Sequence, residues 1–423
     1  MSEPSLAAYV ARKRRELEFL AAQLGTALPP LEGHTRVLAE KRSVMQQIHR
    51  AAIERLGASE TRPKGQGEVR FGELSCSWTY QRFDLGVRSE SRYLEALRGQ
   101  ASPRMDLESW HVSCGMAALN SALAAIECVF RPVPSLVMRS DCYFETLGLA
   151  STFFPGLGVD VVRSADELVE RVARGPSVVF MDSVGIDCHA ALTPELDLSQ
   201  VACVVVDSTC YSAATLDLSE LFGRCADHGV PVLIARSQQK LDTLGVEYGR
   251  AGSLVLAQPK ASRQSERDAQ LARTLAAHVR RSGAQALAGN IFPFDGSPVF
   301  VELNELRVRR IQQNNAHFVE ALRAALPAHV AVQRFHHDLF SLVSWPSFAV
   351  PTEALTALAA DLERSGLPVW HAGSFGLDFV QFDSFLNAEL ERVIRFAISD
   401  ICGEHLSTLL DEVTRWVLRH AGG

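Results

Sequence analysis

Apolar residues at Leu6, Val10, Leu17, Leu20 and Leu24 recur at helical spacing, which predicts a first helix over 6–24. A second helical run, about Arg36 to Leu56, precedes a polar, glycine-containing break from Gly57 to Gly67. Residues 1–67 read as an N-terminal helical arm, suited to packing on a partner subunit rather than to chemistry. From about residue 104 the pattern changes to short β-rich runs: Ser135–Met138, Val159–Val162, Val178–Met181, Val201–Val206, Val230–Ala235 and Ser253–Leu256. Most are continuously apolar rather than alternating, as strands buried on both faces of a parallel sheet must be. Helical stretches separate several of them, notably Ala165–Ala173 and Ser219–His228, so residues 68–295 predict a helix-covered α/β domain. Beyond residue 296 come a helical run (Asn304–Leu326), a β-rich segment (Leu339–Ser344), a helix (Thr352–Ser365), a strand (Val393–Ile398) and a closing helix. That order predicts a smaller α+β domain over 296–423.

Composition narrows the function classes. With 49 acidic against 42 basic residues in a chain of 423, no electrostatic footprint for nucleic acid is present. The local cluster Arg12-Lys13-Arg14-Arg15 reads as a solvated helix face. The nine cysteines form no Cys-x-x-Cys pair, which argues against zinc and for free thiols in a reducing cytoplasm. No secretory pattern opens the sequence. The most apolar stretch, Ala117 to Phe130, is interrupted by Asn120, Ser121 and Glu127 and predicts a buried helix, too short and too polar to span a bilayer.

Three features carry chemistry. Asp207 ends the run Val204-Val205-Val206, at the C-terminal edge of a buried strand, where open α/β sheets bind ligands. Lys240 lies just past the end of the next strong strand. A carboxylate and an amine facing one crevice suit pyridoxal 5′-phosphate (PLP), which needs an amine partner and a carboxylate at its ring nitrogen. Taken alone, the pair reads more simply as a helix cap and a surface lysine. The third feature, Ser113-Cys114-Gly115-Met116-Ala117-Ala118, opens the apolar helix and offers free amides to a phosphate.

These features, with others in collinear order, resemble the Cys/Met-metabolism family of fold-type I PLP enzymes, from about residue 68 onward. The group includes cystathionine γ-synthase, cystathionine γ-lyase and methionine γ-lyase. Thr79-Tyr80-Gln81-Arg82 resembles Tyr-Ser-Arg, which implies that Tyr80 and Arg82 reach the cofactor phosphate of a neighbouring subunit. Ser91-Arg92-Tyr93-Leu94-Glu95 resembles the segment that follows. Ser113 to Ala118 resembles Ser-Gly-Met-Ala-Ala, with the amides of Gly115 and Met116 on the phosphate. Cys142-Tyr143-Phe144-Glu145-Thr146 resembles Tyr-Gly-Gly-Thr, which implies that Tyr143 stacks on the pyridine ring and exchanges protons with a leaving group. Val206-Asp207-Ser208-Thr209 resembles Val-Asp-Asn-Thr and places Asp207 and Thr209 among the cofactor ligands. Ser237-Gln238-Gln239-Lys240 resembles Ser-x-Thr-Lys, with Ser237 on the phosphate and Lys240 as the cofactor lysine and base. Ser374-Phe375-Gly376 resembles the start of Ser-Leu-Gly-Gly. Ile394-Arg395-Phe396-Ala397-Ile398-Ser399 resembles Ile-Arg-Leu-Ser, whose arginine clamps the substrate carboxylate. The implied fold is type I, with a mostly parallel sheet in the large PLP-binding domain and a smaller α+β C-terminal domain.

Departures from the pattern concern the ring surroundings. Gln239 stands where threonine is usual, Ser208 replaces asparagine, and Phe180-Met181-Asp182-Ser183-Val184-Gly185-Ile186 lies where Glu-x-Pro-x-Asn-Pro is expected. Glu145, an acid in a glycine position, is read as a substrate-orienting group that favours a non-standard amino acid. His111 and His371 are read as packed or surface histidines. The expected activity is a cytoplasmic PLP-dependent lyase working by γ- or β-elimination, with γ-replacement (a transferase) as the alternative. Transamination and a non-catalytic scaffold are further possibilities. Shared active sites imply a homodimer or homotetramer, with an amino acid as substrate and no metal, nucleic acid or membrane partner.

Overall fold

A computed structural model of the chain describes residues 5–56, 63, 67–78, 86–88, 91–101, 103–140, 142–182, 196–262, 266–335, 338–345, 351–386 and 392–421. Tyr80, Arg82 and Ser183–Ile186 lie outside them. The chain packs as two units. The larger comprises His49–Gln239 and Tyr248–Ser297; the smaller comprises Met1–Ile48, Lys240–Glu247 and Pro298–Gly423.

In the larger unit, β1 (Val69–Phe71), β2 (Leu74–Ser77) and β3 (Gly86–Arg88) form a small antiparallel sheet. The principal sheet has seven strands: β4 (Met105–Val112), β5 (Ser135–Arg139), β6 (Val159–Val162), β7 (Ser177–Asp182), β8 (Val201–Asp207), β9 (Val232–Ser237) and β10 (Gly252–Pro259). Their order is β4-β10-β9-β8-β7-β5-β6, and β10 alone runs antiparallel to its neighbours. The continuous apolar runs are explained by two cores. Val137, Val179, Val204, Val206 and Ile234 point to one face, under helices Arg92–Ala101, Ala165–Val172 and Ser219–His228. Leu136, Val178, Val205, Leu233 and Leu254 point to the other, under Gly115–Val129 and Glu266–Arg281. Successive side chains alternate faces, so a strand covered on both sides must be apolar throughout.

His111, on β4, is a packed histidine as expected. Its Nδ1 has no hydrogen-bond partner, and burial lowers its pKa to about 4. The unfolded chain takes up that proton near the ordinary value of 6.5, so the folded state keeps its full stability above that pH. It loses stability as pH falls towards 4, where the loss levels off. His111→Phe is expected to remove about 2–3 kcal/mol of this acid-side loss, measured as urea midpoints between neutral pH and pH ~4.5.

The smaller unit has a five-stranded sheet, β11 (Ala331–Phe335), β12 (Phe340–Ser344), β13 (Val369–His371), β14 (Val380–Leu386) and β15 (Arg392–Ala397), ordered β11-β12-β15-β14-β13. Helices Pro298–Ala325, Thr352–Arg364 and Gly403–Ala421 pack on it through Phe318, Leu322, Leu355, Leu362, Leu409, Val413 and Trp416. The N-terminal helix Leu6–Leu24 also belongs here. Ser5 Oγ accepts the Ala8 amide at its start, and Gly25, at φ 65°, ends it. Its buried stripe runs through Tyr9, Arg12, Lys13, Glu16, Leu17, Leu20 and Ala21, covered within its own chain.

That stripe corrects the reading of Arg12-Lys13-Arg14-Arg15 as a solvated face. Arg14 and Arg15 are exposed, but Lys13 is fully buried and Arg12 nearly so. Lys13 Nζ meets Asp378 Oδ1 at 2.6 Å, Asp400 Oδ2 at 2.8 Å and Glu16 Oε2 at 3.1 Å, while Arg12 pairs with Asp400. The four-residue run crosses from the buried to the exposed side of one helix, and distant carboxylates compensate the buried half. Among the described residues no helix is long and apolar enough to cross a membrane.

Candidate functional site

The C-terminal edge of the seven-stranded sheet collects the expected residues of the larger unit. Asp182 and Asp207 end β7 and β8 as register partners, and Asp207 pairs in register with Ala235 of β9, two residues before Ser237. Because β5, β7, β8 and β9 are parallel, their ends and the loops that follow share this edge.

Asp207 is buried, and its Oδ1 accepts the Thr209 amide at 2.9 Å. Burial raises its carboxyl pKa above the ordinary range, against the opposing Thr209 bonds and the charge of Arg236. A carboxylate so placed is completed by a cationic partner. Beneath it lies a network that sequence reasoning missed. Arg236 is fully buried, donates to the carbonyls of Ser208 and Tyr211 at 2.6 Å, and stacks 4.3 Å over the Tyr93 ring. The Tyr93 hydroxyl and Ser208 Oγ are 2.6 Å apart, and Ser208 Oγ donates to the Ala235 carbonyl. The signal was a lone cation inside the apolar run of β9.

Helix Gly115–Val129 begins at the same edge. Cys114 caps it, its Sγ accepting the Ala117 amide. The amides of Gly115 and Met116 lie in the first turn, where the helix itself supplies no acceptor. A Cβ on Gly115 would lie 3.1 Å from Ser237 Cβ, and one on Gly252 would lie 2.6 Å from the Cys114 carbonyl carbon. The helix start therefore rests directly on the ends of β9 and β10, with Ser237 beside it. Ser237 is fixed in turn, its amide donating to Thr209 Oγ1 at 3.0 Å. Gly115, Ser237 and Thr209 thus form one connected group beside the two amides of the helix start.

Tyr143 precedes helix Phe144–Phe153, and its amide donates to Asp182 Oδ2 at 2.8 Å. Asp182, a second residue without an assigned role in the sequence, thereby holds the Tyr143 loop to the end of β7. It carried the same signal as Asp207, an acid closing an apolar run. Glu145 is exposed in the first turn of the same helix.

The smaller unit gathers the remaining candidates. Lys240 Nζ donates to Ser374 Oγ at 2.9 Å and lies 5.5 Å from the Phe375 ring centroid. Phe375 packs edge-on against Phe340 at 4.6 Å, and the Arg395 guanidinium carbon lies 5.1 Å over Phe340. Lys240, Ser374 and Arg395 are therefore linked through two aromatic rings. Gly376, at φ 71°, permits this approach, since a Cβ there would lie 2.5 Å from the Lys240 carbonyl oxygen. Asp383 stands opposite Arg395 in the β14–β15 register and lies 3.4 Å from His371 Nε2. His371 is part-buried and paired, with Nδ1 also 3.0 Å from Thr356 Oγ1.

Comparison with models of protein families and with curated proteins gives no match. Solved structures do resemble the chain. A cystathionine γ-synthase from Xanthomonas oryzae pv. oryzae, in complex with cystathionine, is 19% identical with a TM-score of 0.57, over 88% of this chain and 99% of that one. A Campylobacter jejuni protein assigned as an O-acetylhomoserine (thiol)-lyase, carrying a pyridoxyl-lysine phosphate, is 14% identical with a TM-score of 0.54, over 73% and 81%. The apo form of a methionine γ-lyase from Micromonospora echinospora is 16% identical with a TM-score of 0.52, over 88% and 98%. With these proteins the chain shares the fold of type I pyridoxal-phosphate enzymes.

Proposed function

We propose that the chain is a PLP-dependent enzyme that removes a leaving group from the γ- or β-carbon of an amino acid, with a non-standard amino acid as substrate. One observation carries the reading: buried Asp207 stands in register on the strand edge where Ser237 and the start of helix Gly115–Val129 form an anion cradle. The cofactor, when bound, supplies an electron sink for charge developing at the substrate α-carbon.

The chain's own residues divide the remaining tasks. The amides of Gly115 and Met116, with Ser237 and Thr209, hold the phosphate. Asp207 would keep the proton on the ring nitrogen, and Tyr143 would pack against the ring. Tyr80 and Arg82 serve the phosphate of a neighbouring subunit, which makes the working form a homodimer or homotetramer. Arg395 grips the α-carboxylate through two parallel N–H donors, fixing the bond to be broken. Lys240, steadied by Ser374, moves the proton at the α-carbon. Glu145, exposed beside the Tyr143 loop, orients a polar substrate group.

The test is uptake of PLP by the purified full chain, followed by a panel of amino acids bearing β- or γ-leaving groups. Elimination yields ammonia, a 2-keto acid and the departing group. A thiol-dependent adduct in place of the keto acid identifies γ-replacement instead, as in a transferase. A chain that acquires no visible absorption with PLP overturns the assignment.

A further inference from the structure

The segment Lys240–Glu247 packs with the smaller unit, and its backbone is held by buried polar groups from three other elements. Asn304 Nδ2, from helix Pro298–Ala325, donates to the Leu241 carbonyl at 2.6 Å. The Asp378 amide donates to the Gly245 carbonyl at 2.8 Å. Lys41 Nζ, from helix His34–Arg55, donates to the Leu244 carbonyl and pairs with Glu16 and, at 2.7 Å, with Asp378 Oδ2.

Leu244 is the residue that needs this help. It sits at φ 51°, in the left-handed region that L-residues avoid, yet it is a fully buried leucine. The next residue, Gly245, is at φ 81°, and a Cβ there would collide with Asp378 Oδ1 and with the Arg307 guanidinium. Arg307 in turn donates to the Gly376 carbonyl at 2.5 Å, and Gly376 is the glycine pressed against the Lys240 carbonyl. A left-handed turn in a non-glycine residue persists only where its surroundings over-determine it. Here the surroundings are a fully buried ammonium and two carboxylates.

We propose that Lys41 is a positioning residue for Lys240: its ammonium locks the Leu244–Gly245 turn and so fixes the segment that presents the lysine. The proposal rests on Lys240 as the cofactor lysine, and it gives the first two helices a role in the site. Helix Leu6–Leu24 supplies Glu16 and Lys13, helix His34–Arg55 supplies Lys41, and Asp378 joins both to the Lys240 segment.

The experiment compares the full chain with Lys41→Met and with the double variant Lys41→Met/Glu16→Gln, which removes one cation together with one carboxylate. Amide hydrogen exchange is followed across residues 240–247, and the chain fraction fixed to PLP by borohydride is measured alongside thermal melting. In the folded variants, exchange at Leu244–Val246 is expected to rise about ten-fold or more while the sheet amides keep their protection. The PLP-fixed fraction is expected to fall about five-fold at a PLP concentration that saturates the wild type. Unchanged local exchange in a folded variant overturns the proposal, even if its melting temperature falls. A wild type that takes up no PLP defeats the cofactor reading instead, and the exchange comparison still decides whether Lys41 holds the turn. Should neither variant fold, the wild type alone decides: these amides exchange only with global opening if the cation locks the turn, and loop-like exchange overturns it.

Discussion

Lys240→Ala is expected to abolish the borohydride-stable attachment of PLP and to lower turnover roughly 10²–10⁴-fold, the range for loss of a positioned proton-transfer group. Within its unit Lys240 meets Ser374 and Phe375, and through Phe340 it is linked to Arg395; none of these four is an amine. Arg395 stays protonated at any workable pH and cannot take over. Mass spectrometry after borohydride treatment reads the first effect, and keto-acid release reads the second. Full attachment in Lys240→Ala would move the cofactor to another lysine and remove the basis of the assignment.

Asp378→Asn carries the largest expected stability effect, a loss of about 3–5 kcal/mol. The carboxylate is nearly inaccessible and lies against Lys13, Lys41 and Arg307, with its amide on the Gly245 carbonyl. Among the described residues, the amide side chain leaves Lys13, Lys41 and Arg307 to share Glu16 and Asp400 with Arg12. The same cluster predicts an acid limit. Burial opposes ionisation of Asp378 and Asp400, but the adjoining cations prevail and hold both well below the usual carboxylate range. Their contribution is therefore complete above about pH 4, where the unfolded chain is also ionised, and is lost as pH falls through the depressed folded values. Urea unfolding at neutral pH and again near pH 3 checks both statements. A loss under about 1 kcal/mol would rank the cluster with exposed ion pairs.

How much was legible follows from what each pattern encodes. The doubly covered strands were plain because burial on both faces demands unbroken apolar runs: Val201–Asp207 and Ser177–Asp182 fall where those runs do. β4 was not legible. It lies at the end of the strand order, and its mixture of Asp106, Glu108 and His111 with apolar residues imitates a loop. Among the candidate residues, Asp207, which ends a strand, Gly115, which opens a helix, and Lys240, just past a strand, were visible because their chemistry interrupts a pattern. Arg236 interrupts one too, yet its role depends on Tyr93, which only the fold brings near. The burial of Lys13 was beyond reach, since its partner Asp378 is 365 residues away. Local charge patterning cannot report a compensating group at that distance.

That separation bears on how the protein is made. Arg12 and Lys13 leave the ribosome long before their partners, since Asp400 lies 388 residues beyond Arg12 and Asp378 lies 365 beyond Lys13. Until then the two cations have Glu16 as a counter-charge but lack both distant carboxylates, so they stay hydrated and their helix cannot take its final seat on the nascent chain. Closure of such distant contacts is slow. The smaller unit thus completes itself only once both carboxylates have been made, and refolding from urea should show the larger sheet regaining protection first.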